Sequence, residues 1–417
     1  MMKKILQNKH LKENKKTYAG GSVVVGGLML VWFGLPALFA ASYDSGVEQK
    51  MISLTHGAVE EMGEEVVVTD TPLYIETPEQ VKNIYMTACV AGTPSFREDL
   101  IEIADTTEIN SIIIDIKDFS GGISFDTENP VLKPYVSKRC GASDMAGLVR
   151  TLNEKGVYVI GRITVFQDPL YADAHPEIAV QKASDRSTWS DNKGIHFIDV
   201  GAEKYWEYIV ELSKESHRMG FDELNFDYVR YPSDGPMKDI YFPISNDRAV
   251  DQKKEVLRDF FAYLYEELNV KEGIVTSADL FGMTTTNTDD LNIGQYLEYA
   301  LPYFDYVAPM VYPSHYPKNF NGWVNPNDHV YDLVHFVMKS GFDRAEALRT
   351  ATTTPDGIAK RVGGHQLRTW IQDFDYGGTY DAPEVRAQIQ ASYDAGVKSW
   401  MIWAPSNRYT VGALESE

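Results

Sequence analysis

The feature that most limits the fold is a repeat of strand-like and helix-like runs that starts near residue 80 and continues to the C-terminus. Eight apolar stretches read as strands: 84–91, 111–118, 157–166, 223–228, 273–280, 306–312, 367–374 and 399–404. Amphipathic stretches lie between them at 95–104, 144–155, 203–219, 248–268, 291–301, 329–339 and 382–395. In 203–219, for example, Tyr205, Tyr208, Ile209 and Leu212 share one helical face. Strand and helix alternating in this way predict an α/β chain closed into a (β/α)8 TIM barrel. An open doubly wound sheet ordinarily has fewer strands and a glycine-rich nucleotide turn. Neither GxGxxG nor a Walker sequence follows any of these strands.

Parity within the strands sorts the polar residues. In 220–232, Leu224 and Phe226 alternate with Glu223, Asn225 and Asp227, the period-2 signature of a strand. The second strand sets Ile112, Ile114 and Ile116 against Asp115 and Lys117. The third sets Val159, Ile163 and Val165 against Arg162 and Thr164, and the fifth sets Ile274 and Ala278 against Ser277 and Asp279. If the apolar faces lie under the helices, the polar faces enter the lumen. Such burial is costly unless the groups pair or meet water. For one such residue a purely structural ion pair, Lys117 or Arg162 with Asp115, is the alternative. Four strands with polar C-terminal ends point instead to the mouth where barrel enzymes hold their chemistry.

The residue types narrow that chemistry. There is no HExxH, no CxxC and no tight His cluster, so neither a metal nor another cofactor is expected. The GxSxG elbow is absent too. Carboxylates and abundant aromatics remain, which fits glycoside hydrolysis by one carboxylate that attacks or activates water and a second that protonates the leaving oxygen. Asp227 and Asp279 fall on neighbouring strands at similar depth. Tyr228 and Arg230 are expected to keep Asp227 ionised, and the apolar neighbours Ala278, Leu280 and Phe281 suit Asp279 to the acid role. Asp118 and Asp168 are reserve candidates, although a lone Asp more often caps a loop.

Six runs carry a family resemblance: GRITVFQDP (161–169), FDELNFDYVRYP (221–232), SADLFG (277–282), IGQ (293–295), APMVYPSHY (308–316) and PSNRY (405–409). Together they resemble the glycoside-hydrolase-like barrel family first catalogued as a domain of unknown function, from about residue 80 to the C-terminus. The resemblance implies a (β/α)8 fold directed at polysaccharide or oligosaccharide. The fourth strand also faintly resembles the chitinase DxxDxDxE pattern through Asp222, Asn225 and Asp227, but Val229 stands where the terminal acid belongs. Substrate-binding or orienting roles are expected for Asp115, Lys117, Asp118, Arg162, Asp168, Asn225, Tyr228, Arg230, Tyr312, His315, Tyr316, Gln372 and Trp403. For sugar stacking, the loop residues Trp189 and Trp323 join Tyr228, Tyr312, Tyr316 and Trp403.

The N-terminal part has a different character. Residues 1–18 carry six Lys and one Glu, and residues 19–41 carry no charge. That run is long enough to span a bilayer as one helix, with the basic tail in the cytoplasm and the remainder exported. Cleavage near Ala40 and Ala41, with secretion, is the rival expectation. Residues 42–79 read as an acidic spacer and 80–417 as the barrel. The net charge is −21 despite the basic tail, which disfavours nucleic acid and suits a neutral or cationic ligand. Cys89 and Cys140 allow one bridge, with a buried free thiol equally open at this point. The expected role is a membrane-anchored glycoside hydrolase of the cell envelope. The alternative is a carbohydrate-binding barrel without catalysis.

Overall fold

The eight β-branched and aromatic runs form parallel strands: β1 Lys82–Met86, β2 Ser111–Lys117, β3 Tyr158–Thr164, β4 Glu223–Asp227, β5 Val275–Phe281, β6 Tyr306–Met310, β7 Arg368–Gln372 and β8 Ser399–Trp403. They pair in sequence order and β8 returns to β1, so the sheet is a closed barrel with no free edge. The computed structural model describes residues 71–249, 251–351 and 362–416. The acidic run at 60–65 and the proposed membrane span at 19–41 lie outside them. Among the described residues no helix is long and apolar enough to cross a membrane.

Six main helices cover the barrel: α1 Pro94–Thr106, α2 Met145–Glu154, α3 Glu203–Arg218, α4 Lys253–Leu264, α5 Val330–Thr350 and α6 Ala382–Asp394. Helix α3 buries Tyr205, Tyr208, Ile209 and Leu212, the face its spacing predicts. Gly220, at φ +106°, ends this helix and lets the chain enter β4. The stretch at 291–301 is helical only over Leu297–Ala300, because Leu291 and Asn292 adopt positive φ. After β8 the described chain makes only a short turn at Val411–Ala413.

The parity argument describes the cross-section. Ile112, Ile114, Ile116, Leu224, Phe226 and Ala278 pack between sheet and helices. Tyr85, Ile113, Tyr158, Trp370 and Met401 fill the lumen. At the lower end of the lumen Arg368 Nη1 donates to both oxygens of Glu223, at 2.7 and 2.9 Å, and its guanidinium lies 3.6 Å from the Tyr306 ring centroid. Residues ahead of 80 also belong to this unit. Ile75 N–H donates to Asp222 at 2.6 Å, Tyr74 stacks on His217, and the Leu73 carbonyl accepts from Asn153. These contacts dock the end of the acidic spacer on the N-terminal face of the barrel.

The two cysteines are bonded to each other. Cys89 is not in a strand, because Thr87 caps a short helix, Ala88–Ala91, directly after β1.

Candidate active site

Strands β4 and β5 are in register with Phe226 opposite Ala278. The next position on each strand is a carboxylate, so Asp227 and Asp279 stand side by side at the C-terminal end. Both line a cleft of about 350 Å³. Of the residues expected to serve substrate, Arg162, Tyr228, Arg230, Tyr312, His315, Tyr316 and Trp403 also line it.

One guanidinium organises the charges. Arg162 Nη1 donates to Asp115 at 2.6 Å, Nη2 donates to Asp227 at 2.5 Å, and Nε lies 3.9 Å from Asp279 Oδ2. Burial works against its charge, but Asp227 and Asp115 outweigh that, and its pKa rises well above the ordinary value. The Tyr85 and Trp403 rings flank it at 5.7 and 5.3 Å. The partner in contact with Asp227 is therefore Arg162. Arg230, expected from sequence to hold that carboxylate, touches it nowhere and acts on it only through space. The second oxygen of Asp227 accepts the Tyr228 amide at 2.6 Å. Tyr228 itself sits at φ +53°, a conformation bulky residues rarely adopt and one that clusters at functional sites.

Asp279 has different surroundings. It is 1% exposed, and its Oδ1 accepts from Asn225 at 3.0 Å and from the Trp370 indole at 2.7 Å. Burial, and then the charge of Asp227, raise its pKa from 3.8 to about 8. A carboxyl group in this state carries a proton at neutral pH and can donate it.

Several expected site residues lie behind the cleft and support it. Asp115 anchors Arg162 and accepts from the Tyr85 hydroxyl at 2.5 Å. Lys117 pairs with Asp168 at 2.9 Å rather than with Asp115, and both side chains are fully buried. Asp168 also caps the short helix Pro169–Ala174 through the Tyr171 amide. Asp118 caps its own loop through Ser120. Neither reserve carboxylate lines the cleft. Gln372 accepts from the Ser314 hydroxyl at 2.8 Å and so fixes the loop that carries His315. Trp189 is buried against Pro236 and Phe197, and Trp323 stacks on His329, so neither stands at the cleft.

The cleft also contains residues that sequence reasoning passed over. Trp370 is one, and its parity with Arg368 and Gln372 on β7 was the available signal. Phe281, Met283 and Met310 form an apolar wall. Gly282 is fixed by contact, since a Cβ there would lie 2.2 Å from Tyr316 Oη. Among the described residues no cluster of His, Cys, Asp and Glu is arranged to hold a metal ion.

Among solved structures, a hypothetical protein from Ruminiclostridium thermocellum is 27% identical over 50% of this chain and 98% of its own, with a TM-score of 0.42. The PgaB (BpsB) glycoside hydrolase domain from Bordetella bronchiseptica is 14% identical, covers 79% of this chain and 95% of its own, and gives a TM-score of 0.53. Alpha-L-fucosidase isoenzyme 2 from Paenibacillus thiaminolyticus is 12% identical, covers 80% of this chain and 48% of its own, and also gives 0.53. The likeness to these two glycosidases is one of fold. No curated protein matches the sequence. A family model described as "Putative glycosyl hydrolase domain" matches residues 83–409, nearly the whole barrel, and the chain belongs to that family.

Proposed function

We propose that the chain is a membrane-anchored, extracytoplasmic glycoside hydrolase that cuts cell-envelope or extracellular polysaccharide, with Asp227 as nucleophile and Asp279 as acid/base. The observation that carries this reading is the contrast between two neighbouring carboxylates in one cleft. Arg162 holds the first, and burial keeps the second protonated to about pH 8. Asp279 Oδ1 is already an acceptor twice over, so the transferable proton belongs on Oδ2.

In the first step a carboxylate oxygen of Asp227 bonds to the anomeric carbon and the glycosidic C–O bond breaks. The proton of Asp279 passes to the departing oxygen. In the second step water attacks the anomeric carbon and gives its proton to Asp279, and Asp227 is released. Adjacent strands lie about 4.8 Å apart, close to the roughly 5–5.5 Å separation of retaining enzymes. The anchor rests on the basic tail followed by the uncharged run at 19–41. The Cys89–Cys140 bridge supports an oxidising, extracytoplasmic compartment.

The test is incubation of the full chain with a panel of envelope and extracellular glycans, with mass-spectrometric detection of products and NMR assignment of the first anomer formed. Retention is expected. Asp227→Asn and Asp279→Asn should each lower turnover by about a hundred- to ten-thousand-fold. Wild-type turnover in both variants sinks the assignment. Glycan binding without cleavage by the wild type would leave a carbohydrate-binding barrel.

A further inference from the structure

The cleft wall contains a buried cation with no anion in contact among the described residues. Arg230 is 7% exposed and lines the cleft beside Asp227. Its guanidinium is flanked by two aromatic rings, Tyr228 at 5.0 Å and Phe281 at 5.1 Å. Nη1 donates to two neutral acceptors, the Tyr231 carbonyl at 3.1 Å and the Ser233 hydroxyl at 3.2 Å. Asp227, Asp234 and Asp191 reach it only through space. The other two buried arginines among the described residues are unlike it: Arg162 grips Asp115 and Asp227, and Arg368 grips Glu223.

A buried charge is costly unless it is paired, and ring faces offset only part of that cost. Burial lowers the Arg230 pKa from its ordinary value, which registers the same cost. The rings and the two Nη1 bonds hold the guanidinium in one orientation, so little freedom is lost when a ligand binds. The strained backbone of Tyr228 delivers Asp227 and Arg230 to the same cleft. Nε and Nη2 have no partner among the described residues. Together they make a planar pair of donors, the shape that matches a carboxylate through two parallel hydrogen bonds.

We propose that Arg230 is the receptor for a carboxylate on the sugar bound in this cleft, and that the substrate is an acidic glycan. This rests on the glycoside hydrolase reading and adds the substrate class. The net charge of −21 does not exclude it. Charges more than about 8 Å away are screened at physiological ionic strength, so a contact inside the cleft outweighs the distant surface. The carboxylate can come from C6 of a uronic acid or from a lactyl ether on the ring, and both present the same planar anion.

The experiment compares acidic and neutral twins by calorimetry on the full chain. One pair is a glucuronate-terminated disaccharide and its carboxyl-reduced glucose counterpart. The other is N-acetylmuramate and N-acetylglucosamine. The acidic member of one pair should bind roughly ten- to a hundredfold tighter, the range for a hydrogen bond to a charged group. The pair that shows the preference identifies the source of the carboxylate. In Arg230→Gln the ratio should fall to about one. Arg230→Lys, which keeps the charge and loses the fork, should restore only part of it. Equal binding within both pairs by the wild type, or a preference that survives Arg230→Gln, overturns the proposal and leaves the glycoside hydrolase reading in place. The wild-type ratio decides alone, so a variant that fails to fold does not shield the proposal. If none of the four sugars binds while the glycan panel is cleaved, the acidic substrate class is overturned by itself. If the panel is untouched as well, both readings fall.

Discussion

Replacing Asp279 by Asn should lower turnover by about a hundred- to ten-thousand-fold and also stabilise the folded chain at neutral pH. Both effects have one cause. Burial and the charge of Asp227 raise the Asp279 pKa from 3.8 to about 8. In the unfolded chain this carboxyl loses its proton as pH passes about 4. In the folded chain it keeps the proton until about pH 8. Between those values the folded state binds one more proton than the unfolded state, so stability falls as pH rises, by up to ~1.4 kcal/mol per unit. Below pH 4 both states are protonated and the term vanishes. Above pH 8 the loss is complete. Four units set a ceiling of roughly 5 kcal/mol, and relaxation around a buried group should leave about 1–3 kcal/mol of it. Asn removes the term and retains the geometry, because its oxygen can still accept from Asn225 and Trp370. Urea unfolding of both proteins at pH 4, 6 and 8 is the assay. Equal stability at pH 4 and a lead of about 1–3 kcal/mol for the variant at pH 8 are expected. A gap that does not change with pH, or a variant weaker at pH 8, would mean that Asp279 is ionised in the native state, and the acid role would be lost with it.

Three further outcomes are expected. The activity profile, as kcat/KM against pH, should fall above about pH 8 as Asp279 loses its proton, at about tenfold per unit; a flat alkaline limb to pH 10 would exclude it as the acid. Replacing Cys89 and Cys140 together by Ser opens a loop with a sequence separation of 51 and should cost about 2–4 kcal/mol in denaturant unfolding, through the unfolded state; an unchanged midpoint would show that the bridge does not constrain the unfolded chain. Protease added to intact cells should remove the barrel and spare the Lys-rich tail, whereas mature protein free in the medium and starting near residue 42 would contradict the anchor.

Parity made much of this site legible. Isoleucines at 112, 114 and 116 required a helix-covered face, which sent Asp115 and Lys117 inward, and the same step on β4 and β5 brought Asp227 beside Asp279. Which cation meets which anion was not legible, since that depends on stagger between strands. Arg162 and Thr164 on β3 pair with Asn225 and Asp227 on β4, so Arg162 can reach Asp227 diagonally across the lumen wall. Lys117 follows an irregularity in β2 and swings to Asp168. The loop tryptophans were misplaced for a related reason. Trp189 and Trp323 sit in long connections whose packing no strand period governs.

On the proposed mechanism, the lower lumen has a part in the chemistry above it. Glu223, paired with Arg368, accepts a hydrogen bond from the Ser277 hydroxyl at 2.6 Å. Ser277 has then spent its only proton and can offer Asn225 nothing but lone pairs. Asn225 must therefore turn its amide nitrogen towards Ser277, at 3.1 Å, and the same nitrogen reaches Asp279 Oδ1 at 3.0 Å. Its own oxygen is left buried without a partner among the described residues, an arrangement that makes sense only if the direction of the amide is imposed. With Oδ1 of Asp279 fixed as an acceptor, the acid proton is directed to Oδ2. The ion pair at the floor of the barrel thus sets the direction of the Ser277 and Asn225 donors that lead up to the carboxyl group at the mouth. That gives the polar interior a reason to persist where an apolar core would pack at less cost.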